Sequence, residues 1–231
     1  MAERELIRED TAIEARKFIA GVYGWMAVAL IISGFAALFT AASPMMISLI
    51  WGTRFGFYVL LAIELLLVFI LSASMKKLSA GVAGFFFILY SIINGITLSS
   101  IFIVFETNSI IMAFFISAGM FLGMTIYGRR TSQNLTSAGR YLMMAVIGLV
   151  IAALVNLLFK SSMLEWIISI VSVVVFIGLT AYDSQKIARA ALYSDGSETF
   201  KKAAILGALE LYLDFINIFL ALLNLFGKKR N

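Results

Sequence analysis

Long apolar runs separated by short polar segments make up most of this chain. A helix needs about 20 apolar residues to cross the hydrocarbon core of a bilayer. Transmembrane strands would alternate polar and apolar residues, whereas these runs are apolar on nearly every face. The pattern therefore predicts an all-α membrane protein with seven transmembrane helices. The predicted spans are 18–40, 55–74, 81–105, 109–128, 141–159, 166–185 and 203–226.

The composition supports this interpretation and removes several kinds of chemistry. Of the 231 residues, 62% are apolar and only 13% are charged, which excludes a water-soluble globule. The chain has no cysteine and no histidine, so thiolate or histidine zinc sites and Ser-His-Asp triads are excluded. The basic residues lie in short segments between apolar runs, a pattern that reports membrane orientation and not nucleic-acid binding.

No segment between the spans is long enough for a separate soluble domain. We therefore predict an N-terminal cytoplasmic segment at 1–17, one seven-span membrane domain at 18–226 and a basic C-terminal tail at 227–231. The N-terminal segment is too charged for a signal peptide. The compact termini favour a multi-pass protein of a prokaryotic plasma (inner) membrane.

The basic residues orient the predicted bundle. With a cytoplasmic N-terminus, 13 Lys and Arg residues lie inside and 5 lie outside, which favours this orientation. Lys228, Lys229 and Arg230 would then lie outside after seven crossings. The alternative is a re-entrant last span that leaves both ends inside, and we favour seven crossings.

Four acidic residues fall within the spans or at their edges, with no Lys or Arg in mid-span. They are Glu64, Asp183, Glu210 and Asp214. A carboxylate at bilayer depth costs at least about 2.5–3.5 kcal/mol on insertion scales. Such a group must be protonated, solvated in a polar cavity or paired with a cation. These four acids are therefore the first candidates for function.

Two of the spans carry polar stripes at helical spacing. A helix with such a stripe in an otherwise apolar chain belongs at the centre of a bundle, so we place the last helix there. The Asn, Ser and Thr members could instead only hold helices together by hydrogen bonds. The last span's stripe is Glu210, Asp214, Asn217, Ala221 and Asn224, and the sixth span's weaker stripe is Ser169, Ser172, Phe176, Thr180 and Asp183.

Small residues at four-residue spacing predict close helix packing in two other spans. Gly119 and Gly123 form such a pair in the fourth span, and Gly148 and Ala152 form one in the fifth. A residue without a bulky side chain lets neighbouring backbones approach. We interpret both pairs as packing positions.

Two segments resemble the Bax inhibitor-1 family. They are GLTAYDSQKI at 178–187 and ALELYLDFINIFLALLNLFG at 208–227, and YLDFINIF is the most specific part. The segment 91–98, which contains Asn94, is similar to a further family motif. The resemblance implies a seven-helix bundle around a central last helix. It also implies a pH-sensitive calcium leak controlled by two aspartates, which are Asp183 and Asp214 here.

The resemblance also suggests further positions. Glu64 resembles an acid that relatives carry in the second span. Relatives place a basic latch residue near the inner end of that span. The ungapped position is Met75 here, and Lys76 and Lys77 follow it, so the latch assignment stays open.

Two carboxyls within hydrogen-bonding distance in a low-dielectric site titrate as a coupled pair. A shared proton would close a path between them, and ionisation would attract a divalent cation. Calcium fits because it accepts 6–8 carboxylate, carbonyl and water oxygens in flexible geometry. We expect weak calcium ligation by Asp183 and Asp214, no tightly bound cofactor, and Glu64, Glu210 and Asn217 as secondary candidates.

The function predicted from the sequence is thus a pH-sensitive calcium leak channel or transporter in a lipid bilayer, and not an enzyme. An intramembrane aspartyl protease would share Tyr182-Asp183, but Tyr212-Leu213-Asp214 lacks the required Gly-x-Gly-Asp. The main alternative is a regulator that binds membrane-protein partners or acts on cell-death and stress pathways without essential ion flux. A proton-coupled carrier is third.

Overall fold

The computed structural model describes residues 2–52, 55–73 and 78–230, with side chains from residue 11 onward except at residue 73. These residues are almost entirely helical. Nine helices lie within the described ranges: α1 Ala2–Ala42, α2 Pro44–Trp51, α3 Gly56–Ala73, α4 Ala80–Leu98, α5 Ser100–Val104, α6 Thr107–Arg130, α7 Thr136–Phe159, α8 Ser162–Ala191 and α9 Glu198–Phe226.

The helices confirm an all-helical membrane protein. Six spans in the described residues are long and apolar enough to cross a bilayer, with α4 and α5 together forming one of them as Ala80–Val104. A seventh is available if α2 and α3, which are bent by 84° at their junction, count as one span. In α9, 72% of the most apolar stretch is buried, against 44% or less in the other five spans. The last helix is therefore the most enclosed, as its polar stripe predicts.

Helix α2 is a feature that the apolar pattern does not predict. It is only eight residues long, and its start is set by local chemistry. The Ser43 hydroxyl accepts a hydrogen bond from the Met46 N–H at 3.4 Å, and Pro44 occupies the first turn, where no N–H is needed. A short capped helix of this kind carries too few residues to be separated from a span by hydropathy.

The chain forms two compact units, of which the first takes in residues up to Val104 together with Ala190–Leu209. In this unit both α1 and α3 pack against α4. The closest approach between these helices is at Gly95, where an added Cβ would clash with the Ser33 carbonyl oxygen. The Ser33 hydroxyl also donates to the Ser91 carbonyl at 2.8 Å. The absence of a side chain at Gly95 thus permits the contact between α1 and α4.

The second unit consists of Phe105–Arg189 and Glu210–Asn231. Its close approaches are at Gly128, where a Cβ would clash with the Ala181 backbone, and at Gly139, which faces the Tyr182 ring. Both contacts hold α8, the first against α6 and the second against α7. Glycines of α6 and α7 therefore set the position of the helix that carries Asp183.

The packing role predicted for Gly119, Gly123 and Gly148 is wrong within this chain. A Cβ at any of the three would meet nothing within 4 Å, and all three residues are exposed. Helices that are apolar all round give no signal of which face meets a neighbour. Four-residue spacing of small residues is therefore insufficient to identify the packed face.

The basic tail folds back onto the turn before α6. The Glu106 N–H donates to the Lys228 carbonyl at 2.9 Å, and the Lys228 N–H donates to the Ser109 hydroxyl at 3.0 Å. The Lys228 ammonium lies 2.8 Å from the Glu106 carboxylate, and this hydrogen-bonded partner raises the pKa of Lys228. Helix α9 is continuous from Glu198 to Phe226, so the re-entrant alternative is not observed.

We predict that Gly95→Ala destabilises the protein. Alanine inside a helix is normally more favourable than glycine by about 0.5–1 kcal/mol, but overpacking a close contact costs about 1–3 kcal/mol. The thermal unfolding midpoint in detergent should therefore fall. Gly119→Ala is the matched control because its Cβ enters open space. Its thermal unfolding midpoint should equal or exceed that of the native protein. Equal effects of the two substitutions would contradict the close contact.

We also predict that the tail and the turn before α6 lie on the same side of the membrane. The chain has no cysteine, so Asn108→Cys and Lys229→Cys are clean single-cysteine variants. A membrane-impermeant maleimide added to one side of sealed vesicles should label both or neither. Ser132→Cys, beyond the other end of α6, should show the opposite accessibility. Labelling of Asn108→Cys and Lys229→Cys from opposite sides would disprove the pairing.

Candidate functional site

The four residues Tyr182-Asp183-Ser184-Gln185 each have a distinct environment on α8. Tyr182 packs on Gly139 of α7, and an added Cβ there would lie 2.6 Å from the ring. The Ser184 hydroxyl donates to the Thr125 hydroxyl of α6 at 3.3 Å. These neighbours of Asp183 in the sequence fix the rotation of α8.

Gln185 ties α8 to the connection between α6 and α7. Its side-chain amide donates to the Gln133 carbonyl at 2.7 Å, and its oxygen accepts from the Leu135 N–H at 3.0 Å. Both polar ends of the amide are therefore used by backbone groups. This bidentate contact explains why glutamine occupies the position, since a shorter or apolar side chain would leave the turn's polar groups without these partners.

A cluster of charged residues joins α8 to α9. The Lys186 ammonium lies 2.6 Å from a Glu210 carboxylate oxygen and 3.9 Å from an Asp183 carboxylate oxygen. Asp183 and Asp214 are almost fully buried, at 7% and 4% exposure. Asp214 lies within electrostatic range of Asp183, Glu210 and Lys186. The structure thus brings three of the predicted acids together around one lysine.

Asp214 is the most unusual member of this cluster. Its Oδ2 atom is buried and has no hydrogen-bond partner among the described residues. The Thr180 hydroxyl lies within hydrogen-bonding reach of the Asp214 carboxyl and also of the Phe176 carbonyl, the latter at 2.8 Å. A buried carboxylate oxygen without a partner carries a large desolvation cost, so a proton or a cation would stabilise it.

The polar stripes continue from this cluster along α8 and α9 and line two cavities of the second unit. One has a volume of about 230 Å³ and is lined by Ser169, Ser172 and Asn217 together with apolar residues of α7. The other, of about 380 Å³, is lined by Lys160 and Glu165 among others. Ser169 and Asn224 line both cavities. Polar groups therefore follow the α8–α9 interface over several helical turns.

Glu64 forms a separate polar site in the first unit. The Thr97 hydroxyl donates to Glu64 Oε1 at 2.5 Å, and the Asn94 side-chain amide donates to Glu64 Oε2 at 3.4 Å. Glu64 is 9% exposed. The candidates Glu64 and Asn94 are thus paired across α3 and α4. Lys76 and Lys77, the latch candidates, lie outside the described residues.

Lys186 is the site residue that the sequence analysis missed. It lies one residue beyond the predicted end of the sixth span at 185, although it follows Asp183 by three residues and so shares its helical face. Asn217 lies on the predicted stripe, where its amide donates to the Leu213 carbonyl at 2.8 Å. In the described part of the chain, no three acidic side chains approach closely enough to hold a metal ion.

Comparison with known proteins agrees with the family motifs in the sequence. Residues 15–231 match the family described as Inhibitor of apoptosis-promoting Bax1. The chain is 45% identical to the inner membrane protein YbhL of Escherichia coli K12, over 96% of this chain and 98% of that protein.

More distant bacterial relatives extend the match. An uncharacterised protein of Deinococcus radiodurans is 40% identical over 100% of this chain and 98% of its own length. An uncharacterised membrane protein of Streptococcus pyogenes serotype M1 is 33% identical over 96% of this chain and 97% of its own length. The protein is a multi-pass integral membrane protein, and it belongs to the Bax inhibitor-1 family.

Proposed function

We propose that this protein is a pH-sensitive calcium leak, with a path along the interface of α8 and α9. The observation that carries the proposal is the buried pair Asp183 and Asp214 at the end of a polar face inside an apolar bundle. The face continues through Asn217 and Ser169 into the two cavities. Polar groups at membrane depth are expensive, and they typically mark ion or proton pathways.

The acid pair would supply the pH response. Two carboxyls that interact in a low-dielectric site release their protons in coupled steps that belong to the pair. A proton shared between α8 and α9 would hold the helices together. Its loss would leave two repelling charges that attract a cation. Because the chain has no histidine, coupling of carboxyls is the simplest source of a response near neutral pH.

The same geometry favours weak binding and passage over storage of calcium. A calcium ion takes 6–8 oxygen ligands. Asp183, Asp214 and Glu210 supply few, so water and carbonyl groups would complete the shell. Conduction needs sites that bind an ion weakly enough to release it. Glu64 with Asn94 is a further candidate site for the permeating ion.

Lys186 would act as the latch. It sits between Glu210 at 2.6 Å and Asp183 at 3.9 Å, where its positive charge opposes a passing cation. Glu210 binds it more closely than Asp183 does. We infer that Glu210 draws Lys186 away from Asp183 and so sets how strongly the lysine competes with calcium for that carboxylate.

The second candidate function is a membrane-embedded regulator without essential ion flux. The description of the family as an inhibitor of apoptosis-promoting Bax1 favours it. A regulator would need contact surfaces for membrane-protein partners, and it would tolerate neutral amides in place of the acid pair. In neither function does the protein catalyse a reaction.

The membrane arrangement completes the proposal. We propose that residues 18–226 act as one membrane domain, with segment 1–17 in the cytoplasm and the tail at 227–231 on the opposite side. The E. coli relative is named as an inner membrane protein, which supports a prokaryotic inner membrane as the location.

Replacing either aspartate should flatten the pH dependence of calcium flux. Asp183→Asn and Asp214→Asn each remove one titrating group of the pair. The ratio of the calcium flux at about pH 8 to the flux at about pH 6 should therefore move towards one. The measurement is calcium entering proteoliposomes loaded with a calcium-sensitive dye.

Asp195→Asn is the matched control because Asp195 lies outside the spans, and it should keep the native pH profile. Folding is checked by size-exclusion chromatography and thermal unfolding of each variant. Absence of flux above empty liposomes from folded native protein would overturn the leak and leave the regulator.

Neutralising the two partners of the Lys186–Glu210 ion pair should change flux in opposite directions. Lys186→Gln removes the opposing positive charge and should raise the calcium rate by about thirtyfold, since a unit charge about 4 Å from a divalent ion is worth about 2 kcal/mol in a hydrated path. Glu210→Gln frees Lys186 to pair with Asp183 and should lower the rate.

Arg189→Gln, one helical turn beyond Lys186 and bonded to Asn134, should leave the rate unchanged. Both ion-pair variants share any loss of stability from breaking the pair. A change in the same direction for both would therefore indicate a purely structural role and contradict the latch.

A further inference from the structure

One cavity of the first unit has no part in the proposed path. Its volume is about 610 Å³, within the range of small-molecule sites. Its walls come from the first apolar turns of α1, from the start of α4, from the turn at 194–197 and from the first turns of α9. Four separate segments therefore enclose it.

The floor of this cavity is apolar and well packed. The rings of Phe18 and Phe200 meet edge to face with centroids 6.0 Å apart, and Trp25 and Ile205 extend the same surface. Trp25 is itself held against Gly84, where an added Cβ would lie 2.9 Å from the indole ring. Such a surface is suited to a hydrocarbon chain.

The turn that forms one wall is held in a defined conformation. Gly196 has a φ of +72°, and an added Cβ would lie 2.9 Å from Glu14 Oε2. The Ser197 N–H donates to the Asp195 carboxylate at 2.9 Å. The Ser197 hydroxyl and this backbone bond both lower the pKa of Asp195.

The rim carries charges of both signs. Glu14 and Lys17 form an ion pair at 2.8 Å, and Asp195 and Lys201 supply a further carboxylate and a further ammonium. A site for an anionic ligand would instead show an excess of cations. The balance of two acids and two lysines is complementary to a ligand that carries one charge of each sign.

The depth of the cavity fits the same kind of ligand. The spans that begin here are Thr11–Ala42, Ala80–Val104 and Glu198–Phe226, so the cavity lies where these helices enter the hydrocarbon region. Lysines at this level reach towards lipid phosphates with their ammonium groups while their stems remain on apolar surface.

We propose that this cavity is a binding site for a zwitterionic aminophospholipid. Lys201 binds the phosphate, Asp195 binds the primary ammonium, and an acyl chain lies over Phe18, Phe200 and Trp25. A primary ammonium can donate hydrogen bonds to a carboxylate, whereas the quaternary ammonium of a choline lipid cannot. An anionic lipid has no ammonium for Asp195 and places a negatively charged headgroup beside its carboxylate. The site therefore prefers phosphatidylethanolamine to phosphatidylcholine and phosphatidylglycerol.

The test uses Trp25 as a reporter. The protein is reconstituted in phosphatidylcholine vesicles that contain equal mole fractions of brominated phosphatidylethanolamine, phosphatidylcholine or phosphatidylglycerol, and tryptophan quenching is measured. The brominated aminophospholipid should compete for the site about two- to fivefold better than the choline lipid, as one exposed ion pair implies. Asp195→Asn should remove this preference.

Two variants assign the signal to the cavity. Trp25→Phe should abolish the headgroup-dependent part of the quenching, because the chain's other two tryptophans do not line the cavity. Lys202→Gln, next to Lys201 but not in the cavity lining, should leave the preference intact. Equal quenching by the three lipids, stronger quenching by the anionic lipid, or a preference that survives Trp25→Phe would each overturn the proposal. None of these readouts depends on ion flux.

Discussion

The cost of placing carboxyl groups inside an apolar membrane bundle is the constraint on which this structure depends. Asp183 and Asp214 are almost completely buried, and the neighbouring residues of α8 are positioned to keep them so. Glycines at 128 and 139 bring α6 and α7 close to α8, while Gln185 secures the turn between them. Asp183 is left on the side of α8 that meets α9, where Lys186 offsets part of the negative charge of the acids.

The position of the acids and the most enclosed helix could be predicted from sequence because both depend on local patterns. Ionisable residues stand out against an apolar background, and Glu210, Asp214 and Asn217 recur at helical spacing. Burial of α9 then follows from the need to keep that stripe away from lipid. The seven apolar runs likewise correspond to helices, because span length is set by bilayer thickness.

Other features could not be predicted because they depend on which faces of different helices meet. Gly119 and Gly123 have the expected spacing but face open space, whereas the single glycines at 95 and 128 make the close contacts. Lys186 was missed for a related reason. It lies just beyond the predicted end of the sixth span, and only its contact with Glu210 on α9 shows that it belongs to the acid cluster.

The central claim is that Asp183 and Asp214 act as one coupled unit, and a double-variant cycle of calcium flux tests it most directly. The rates of native protein, Asp183→Asn, Asp214→Asn and the double variant are compared in the same proteoliposomes across the pH range. A coupled pair predicts that the double variant has the same pH profile as a single variant, because one substitution already destroys the unit. Independent effects that multiply in the double variant would contradict the coupling.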